Sequence, residues 1–156
     1  MTSTILGIDP GTATTGYAIL KGTELMDFGI IQTLKTDSAP ERLRQICKDI
    51  RSICKKYKPD CCAIEELFFV KNIKTGIAVA QARGAIIATV ATLGIEIAEY
   101  KPVEIKSAIT GNGQAEKSQV QKMVQIILNL KEIPTPDDAA DAIAIALTHQ
   151  GHIKQF

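Results

Sequence analysis

The chain has 156 residues, of which 46% are hydrophobic and 22% are charged, and its formal net charge at pH 7 is +1. This composition is typical of a globular protein and excludes a disordered or collagen-like chain, and the length suits one domain spanning residues 1–156. A charge this close to neutral neither requires nor excludes a nucleic-acid partner, because local patches of charge matter more than the total.

Three short apolar segments at the start of the chain predict three β-strands, over residues 4–9, 15–20 and 24–32. Glycines at positions 11 and 22 lie in the short connections between these segments. Connections of this length are typical of an antiparallel meander.

An amphipathic helix is predicted after the third strand. Ser38 and Glu41 have the spacing of a capping box, and apolar residues then recur at steps of three and four up to Tyr57. The outer face of this helix is basic, and we interpret it as a solvated surface. Its basic residues are Arg42, Arg44, Lys48, Arg51, Lys55 and Lys56.

Strands and helices alternate in the rest of the chain. Residues 61–67 predict a fourth strand and residues 95–100 a fifth, and residues 75–93 between them predict a long apolar helix that ends at Gly94. Further helices are predicted over residues 103–110, from Glu116 onward, and from Asp137 to about His149.

These elements together predict the fold class. Strand–helix–strand crossovers require parallel pairing of the strands that they connect, whereas the opening meander requires antiparallel pairing. We therefore expect an α/β protein with a five-stranded mixed sheet flanked by helices.

Two features bear on the compartment of the protein. The apolar run over residues 77–93 is long enough to span a membrane, but Gln81 and Arg83 interrupt it, so we expect a buried or interface helix and no membrane partner. The first residues lack the basic segment of a signal peptide.

The cysteines lack the spacing of a zinc site, which favours reduced thiols and a cytoplasmic protein. They are Cys47, Cys54, Cys61 and Cys62.

Carboxylates stand at the ends of two predicted strands and at the start of the last helix. Asp9 and Glu65 each close an apolar strand. If those strands are parallel neighbours, both side chains lie at the carboxyl edge of the sheet, where open α/β sheets bind ligands. Asp138 and Asp141 are three residues apart and share one helix face.

Each acid taken alone also has a structural explanation. Asp9 could form a turn, and Asp138 and Asp141 could stabilise the helix dipole. Glu65 is harder to explain in this way, because a carboxylate that closes a buried strand needs a partner.

If the four carboxylates converge, a cation must lie between them, because like charges repel. No basic residue lies within these acidic motifs. A hard divalent ion with oxygen ligands fits best, with Mg²⁺ preferred and Mn²⁺ as an alternative. Two such ions about 4 Å apart would activate a water and stabilise the leaving oxygen in phosphodiester hydrolysis.

Five segments of the sequence form a recognisable pattern in order between residues 5 and 149, and they are ILGIDPGTATTGYAIL, AIEELFFVKN, QARG, AEKSQVQKMV and DAADAIAIALTH. Together they resemble the RuvC family of bacterial Holliday-junction resolvases. The resemblance implies a ribonuclease H-like fold and a homodimer that resolves four-way DNA junctions by paired symmetric cuts, in homologous recombination and DNA repair. It also implies branch-migration partners of the RuvA–RuvB type.

The resemblance further implies a catalytic and metal-binding role for the four acids, which are Asp9, Glu65, Asp138 and Asp141. Glu66 and Asp137 are adjacent acids, and whether either assists the metal site stays open at this point.

Four other residues are candidates for contact with DNA. By resemblance, Phe68 matches an aromatic that stacks on unpaired bases near the crossover, and Lys106 and Lys117 match lysines near the scissile phosphate. Without the resemblance, these residues would be interpreted as a core aromatic and two solvated lysines. Arg83 lies in an apolar helix and needs a partner, which is either a buried ion pair or a contact to DNA or a second subunit.

The helix over residues 75–93 is the expected dimer interface, because it is apolar on nearly all sides. Small residues would let a second copy approach closely, and they are Ala82, Gly84, Ala85 and Ala88. We expect a charge at Ala82 or Ile86 either to produce monomers or to unfold the domain.

Two other functions remain as alternatives. The pattern D-x-G-T-x-x-T-G over residues 9–16 also resembles the phosphate loop of actin-like ATPases, but those enzymes need two lobes, for which 156 residues are too few. The second alternative is a junction-binding dimer without catalytic activity, and the presence of all four acids argues against it.

Overall fold

The computed structural model of the protein describes residues 2–67 and 71–154. Within this part of the chain, five strands and five helices follow one another. They are β1 (Thr4–Asp9), β2 (Thr14–Lys21), β3 (Glu24–Gln32), α1 (Ala39–Tyr57), β4 (Cys61–Glu65), α2 (Ile73–Thr92), β5 (Glu96–Tyr100), α3 (Pro102–Thr110), α4 (Lys117–Ile127) and α5 (Asp137–Ile153).

The strands form one mixed sheet in the order β3-β2-β1-β4-β5. β1 pairs antiparallel with β2, and β2 pairs antiparallel with β3. β4 lies parallel to β1 on its other side, and β5 lies parallel to β4. The predicted five-stranded mixed sheet is therefore confirmed, with the first and fourth strands as parallel neighbours.

Helices cover both faces of the sheet and create two apolar layers. Leu6 and Ile8 of β1 pack with α1 and α2 on one face. Ile5 of the same strand packs with α3, α4 and α5 on the other face. This division follows from the pleat of a strand, in which successive side chains point to opposite faces.

The predicted start of α1 is confirmed in detail. The Glu41 carboxylate accepts a 3.0 Å hydrogen bond from the backbone N–H of Ser38, and the Ser38 hydroxyl accepts one from the backbone N–H of Glu41 at 3.4 Å. The two residues thereby form a capping box and satisfy donors that the first turn leaves free. α1 then runs to Tyr57 and ends at Lys58, which has a left-handed conformation with φ of 48°.

Helix α2 has one buried face and one exposed face. Ala82 and Ile86 are fully buried in the protein's own core. The expectation that these two positions lie at a dimer interface is therefore wrong, because β1, β4 and α1 already cover them. The opposite face, which we call the α2 stripe, is exposed and consists of Ile73, Ile77, Ala80, Gly84, Ala88 and Ala91.

Among the described residues, α2 is the one helix that is long and apolar enough to cross a membrane. Length and composition are weak evidence for a span, and the buried face of α2 belongs to the core of the sheet.

The four cysteines are free thiols, as expected. Cys54 and Cys62 are buried, and burial raises the pKa of both thiols. Their burial and raised pKa values make them core residues rather than reactive groups.

Candidate active site

The two acids at strand ends lie side by side. Ile8 of β1 pairs with Ile64 of β4, and Asp9 and Glu65 are the next residues of the two strands. Since the strands are parallel, both carboxylates emerge at the same edge of the sheet, as the sequence predicted.

The turn that follows Asp9 is closed by a side chain. The hydroxyl of Thr15 donates a 2.6 Å hydrogen bond to the carbonyl oxygen of Gly11 and accepts a 3.3 Å bond from its backbone N–H. Thr15 is fully buried. This local bonding fixes the path of the chain immediately beyond the carboxylate of Asp9.

Helix α5 brings the other two acids to this edge, and two glycines let it approach. A Cβ added at Gly16 would lie 1.9 Å from the backbone oxygen of Asp138, and one added at Gly7 would lie 2.2 Å from the backbone oxygen of Ala142. The backbone of α5 therefore rests directly on β1 and β2. Sequence reasoning missed this requirement. Gly7 and Gly16 lie within the apolar segments of two paired strands, and a glycine inside a strand often indicates that another part of the backbone approaches closely.

Three of the four predicted acids form one compact cluster. Asp9, Asp138 and Asp141 each offer a carboxylate oxygen, and these atoms all lie within 4.8 Å of one another. Glu65 lies outside this set of three, although its charge acts on Asp9. The side chains come from β1 and from the first two turns of α5, which are remote in sequence.

The cluster disfavours the charged form of its most buried member. Burial is the largest cause of the raised pKa of Asp9, which rises from 3.8 to about 8. The neighbouring carboxylates add to the effect, and Asp141 contributes more than Glu65 and Asp138. Burial also raises the pKa of Glu65 and of Asp141. Buried carboxylates that repel one another are stabilised either by binding protons or by binding a cation.

Two lysines partly offset this negative charge. Lys117 Nζ lies 3.1 Å from Asp141 Oδ2 and 3.5 Å from Asp137 Oδ2. Lys106 of α3 is close enough, with Lys117, to oppose the rise in the pKa of Glu65. The acidic motifs contain no basic residue, as noted from the sequence, but the fold supplies these two from other helices.

The remaining predicted residues differ in how the structure places them. Arg83 forms an ion pair with Glu99, and its Nε donates a 3.0 Å hydrogen bond to the backbone carbonyl of Glu65. The ion pair is one of the two explanations that the sequence left open for Arg83, and binding of DNA by this residue stays a prediction. Phe68 lies outside the described residues.

The donor set of the cluster fits a hard divalent cation. Carboxylate oxygens are the ligands that Mg²⁺ and Mn²⁺ prefer, and a cation among them would remove the repulsion that raises the pKa of Asp9. Neither thiol nor imidazole belongs to this group of ligands, so the site has no feature of a zinc centre.

The raised pKa of Asp9 predicts that binding of a divalent ion depends on pH. Between about pH 4 and pH 8, the metal-free fold holds a proton on Asp9 that the unfolded chain has released, so the stability of the metal-free protein falls as the pH rises. A bound cation replaces this proton. We expect Mn²⁺ to raise the melting temperature more at about pH 8.5 than at about pH 6, as measured by calorimetry.

The Asp9→Asn variant is the control, because it cannot take up the proton and should show a smaller pH dependence of the Mn²⁺ effect. An equal Mn²⁺ effect at both pH values in the wild-type protein would contradict this assignment.

The sheet order, the two acids at adjacent strand ends and the acids of the crossing helix define a ribonuclease H-like protein with a carboxylate cluster at the edge of its sheet. The family model for "Crossover junction endodeoxyribonuclease RuvC" matches residues 5–149. The chain belongs to this family.

Similarity to individual members supports the assignment to this family. The RuvC protein of Syntrophomonas wolfei is 49% identical over 149 residues, which cover 93% of this chain and 87% of that protein. The RuvC protein of Petrotoga mobilis is 46% identical over 156 residues, which cover 97% of this chain and 96% of that protein.

Solved structures resemble the fold closely. Thermus thermophilus RuvC in complex with a Holliday junction substrate superposes with a TM-score of 0.92 at 33% identity, covering 98% of this chain and 96% of that one. The yeast mitochondrial Holliday junction resolvase superposes with a TM-score of 0.71 at 13% identity, covering 97% of this chain and 80% of that one, which shows a shared fold. The predicted ribonuclease H-like class is thus confirmed.

Proposed function

We propose that this protein is a divalent-metal-dependent endonuclease that resolves four-way DNA junctions by paired symmetric cuts, in homologous recombination and DNA repair. The observation that carries the proposal is the convergence of the carboxylates of Asp9, Asp138 and Asp141 within 4.8 Å. Family membership supports the substrate, because a relative of this fold has been solved with a Holliday junction substrate.

The test is cleavage of a synthetic four-way junction and of a linear duplex with the same sequences. We expect paired nicks in the junction with Mg²⁺ or Mn²⁺, little cutting of the duplex, and no cutting with a chelator. Equal cutting of both substrates, or cutting that survives the chelator, would contradict the proposal.

The proposed chemistry assigns a role to each acid. Asp9, Asp138 and Asp141 would hold one divalent ion, and Glu65, which faces the same group from the end of β4, would contribute to a second. When bound, such ions supply the Lewis acidity that activates a water and stabilises the leaving oxygen. The chain's own contribution is to fix four oxygen donors on a rigid sheet edge and a buried helix.

The lysines and Phe68 would hold the DNA. Lys106 and Lys117 lie beside the acids, where they can neutralise the scissile phosphate. We propose that Phe68, three residues beyond Glu65, stacks on unpaired bases at the crossover.

Lys117 forms an ion pair with Asp141 in addition to its proposed contact with the scissile phosphate, so its removal should have two effects of opposite sign. In the Lys117→Met variant, we expect slower cleavage of junctions because a phosphate contact is lost. We also expect Mn²⁺ to bind the DNA-free variant about two- to fivefold more tightly, because the Lys117 ammonium no longer competes with Mn²⁺ for the carboxylate of Asp141. The ion pair between Lys117 and Asp141 is half exposed, so its loss changes the binding free energy by at most about 1 kcal/mol.

Cleavage rates and a calorimetric Mn²⁺ titration measure the two effects of Lys117→Met. Lys122→Met is the matched control, because Lys122 is an exposed lysine of the same helix that bonds Gln125 instead of an acid. Weaker binding of Mn²⁺ to the Lys117 variant would contradict this assignment.

The activity would require a homodimer, because two matched cuts in a four-way junction need two active sites related by a two-fold axis. The α2 stripe supports this proposal. Its Ile73 and Ile77 are 77% and 55% exposed, and Gly84 has open space above its Cα. A second copy of the chain packed along this face would remove apolar surface that a monomer leaves in water.

The dimer predicts a specific response to a charge at Ile77. We expect the Ile77→Glu variant to sediment as a folded monomer at micromolar concentration and to lose paired cutting, whereas the wild-type protein sediments as a dimer. Ile126→Glu is the matched control, since Ile126 is 58% exposed on α4, away from this face. A monomeric wild-type protein that still made paired cuts would contradict the model.

Three further elements of the proposal follow from the family and the sequence. The protein would work in the cytoplasm as a single nuclease domain spanning residues 1–156. It would act with branch-migration proteins of the RuvA–RuvB type, which move the crossover to sites of cleavage.

The two alternative functions have less support. In the loop that resembles an ATPase phosphate loop, the hydroxyl of Thr12 bonds the carbonyl of Ala78 and that of Thr15 bonds the carbonyl of Gly11. These groups are therefore engaged within the protein. A catalytically inactive dimer is disfavoured because the carboxylates retain the geometry of a cation site. Measurement of ATP turnover beside junction cleavage separates the three functions.

A further inference from the structure

The end of β4 is held by a side chain from the face of the sheet opposite to α5. Arg83 of α2 donates a hydrogen bond from Nε to the carbonyl oxygen of Glu65, with a length of 3.0 Å. The same guanidinium forms an ion pair with the carboxylate of Glu99 on β5. The side chain of Arg83 is 17% exposed and that of Glu99 is 44% exposed, so the bond to the Glu65 carbonyl is partly buried whereas the ion pair lies at the surface.

The position of this contact matters because β4 ends at Glu65. At this point the chain leaves the sheet, and the backbone needs partners from elsewhere. β5 supplies one, since the carbonyl of Tyr100 accepts a 2.8 Å hydrogen bond from the N–H of Glu66. Arg83 supplies the other by bonding the carbonyl of Glu65 itself.

An arginine is well suited to this task. Its planar guanidinium donates in fixed directions, so two acceptors bound by one fork are held at a fixed distance and angle. Here the two acceptors belong to the last residue of β4 and to a residue of β5. Arg83 therefore fixes the end of the acid-bearing strand against both its neighbour in the sheet and α2.

A second bond ties α2 to the other acid-bearing strand end. The hydroxyl of Thr12, in the turn after Asp9, donates a 2.9 Å hydrogen bond to the carbonyl of Ala78. Ala78 and Arg83 are five residues apart on α2. One helix thus contacts the chain next to both carboxylates that the sheet contributes to the active site.

We propose that Arg83 is a positioning residue, which orients the carboxylate of Glu65 toward Asp9 and Asp141 by holding the Glu65 backbone, with Glu99 holding the guanidinium in turn. This inference deepens the proposed nuclease function and rests on it. Arg83 acts through the protein, whereas Lys106 and Lys117 act on the DNA.

The experiment compares Arg83→Met and Glu99→Gln with the wild-type protein. Arg51→Met is the control, because it removes an exposed arginine from α1. Three quantities are measured: the single-turnover rate of junction cleavage at saturating enzyme, the junction dissociation constant over a salt series in the presence of a chelator, and the Mn²⁺ concentration that half-saturates the melting-temperature shift of the DNA-free protein.

We expect Arg83→Met to slow single-turnover cleavage by about 10- to 100-fold, the usual cost of removing a group that orients a metal ligand. It should raise the half-saturating Mn²⁺ concentration while leaving the junction dissociation constant and its salt dependence unchanged. Glu99→Gln keeps an acceptor for the guanidinium and should lose less activity. The double variant should be no slower than Arg83→Met alone, since both changes break one unit.

Two results would overturn the inference. Weaker junction binding, with the salt slope reduced by about one, would make Arg83 a phosphate contact. A loss of rate that accompanies lower thermal stability but leaves the Mn²⁺ requirement unchanged would make its role general stability. The Mn²⁺ titration needs no cleavage, so it tests the positioning of Glu65 even if the wild-type protein fails to cut junctions, and the two failures are distinguishable.

Discussion

Asp9→Asn is expected to reduce junction cleavage by about 10³-fold, because removing one charged ligand forfeits about 4 kcal/mol of stabilisation of the transition state by a metal ion. Asn keeps the shape of the side chain, and DNA binding depends mainly on phosphate contacts by other residues. The junction dissociation constant should therefore change little. Single-turnover cleavage and electrophoretic binding assays measure the two quantities.

The neighbouring acids at the end of β4 provide the matched comparison. Glu65→Gln should behave like Asp9→Asn, since, in addition to burial, the charge of Glu65 raises the pKa of Asp9 and the charge of Asp141 raises the pKa of Glu65. Glu66→Gln should retain most of the activity. If Glu66→Gln is the inactive variant, Glu66 rather than Glu65 faces the metal site. If Asp9→Asn loses binding together with cleavage, Asp9 has a structural role instead.

Gly16→Ala is expected to reduce junction cleavage by about 10²-fold without changing a catalytic side chain. The added Cβ would lie 1.9 Å from the backbone oxygen of Asp138, well inside the 3.4 Å at which ordinary contact begins, so α5 must move away from the sheet. Such overpacking costs about 1–3 kcal/mol of folding free energy. A displacement of about 1 Å at the catalytic acids costs about 10²-fold in rate.

Calorimetry and single-turnover cleavage measure the two consequences of Gly16→Ala. Gly151→Ala is the control, because Gly151 lies in α5 and a Cβ added there meets no atom within 4 Å. This control should fold with unchanged activity and equal or greater stability, since Ala favours helix over Gly. Wild-type activity in Gly16→Ala would mean that the close approach of α5 is not required.

Much of the fold followed from local patterns in the sequence. The strands and helices were predicted within about two residues at most boundaries; β4, for example, ends at Glu65 rather than at residue 67. The alternation of short connections and crossovers was enough to predict the mixed sheet, because parallel strands cannot be joined without a crossover. The acids at the strand ends could also be identified from the sequence, because they are polar residues that interrupt apolar runs.

The local sequence pattern could not show which face of α2 is buried and which is exposed. The helix is apolar on nearly all sides, so its periodicity does not distinguish the core face from the exposed one. Ala82 and Ile86 were assigned to an interface on that basis, and packing against β1, β4 and α1 instead buries both in the core. Only the neighbours of a helix of this kind determine which side remains exposed.

The sequence alone determined the secondary structure, the mixed sheet and the family resemblance, because backbone geometry imposes the periods that these patterns show. Tertiary structure alone decided that Gly7 and Gly16 let α5 touch the sheet, that Lys117 reaches Asp141, and that Arg83 holds the carbonyl of Glu65. These contacts join residues far apart in the chain. The distances between these residues depend on how whole helices and strands pack. A displacement of about 1–2 Å, which no sequence period encodes, is enough to move the carboxylates out of a catalytic arrangement.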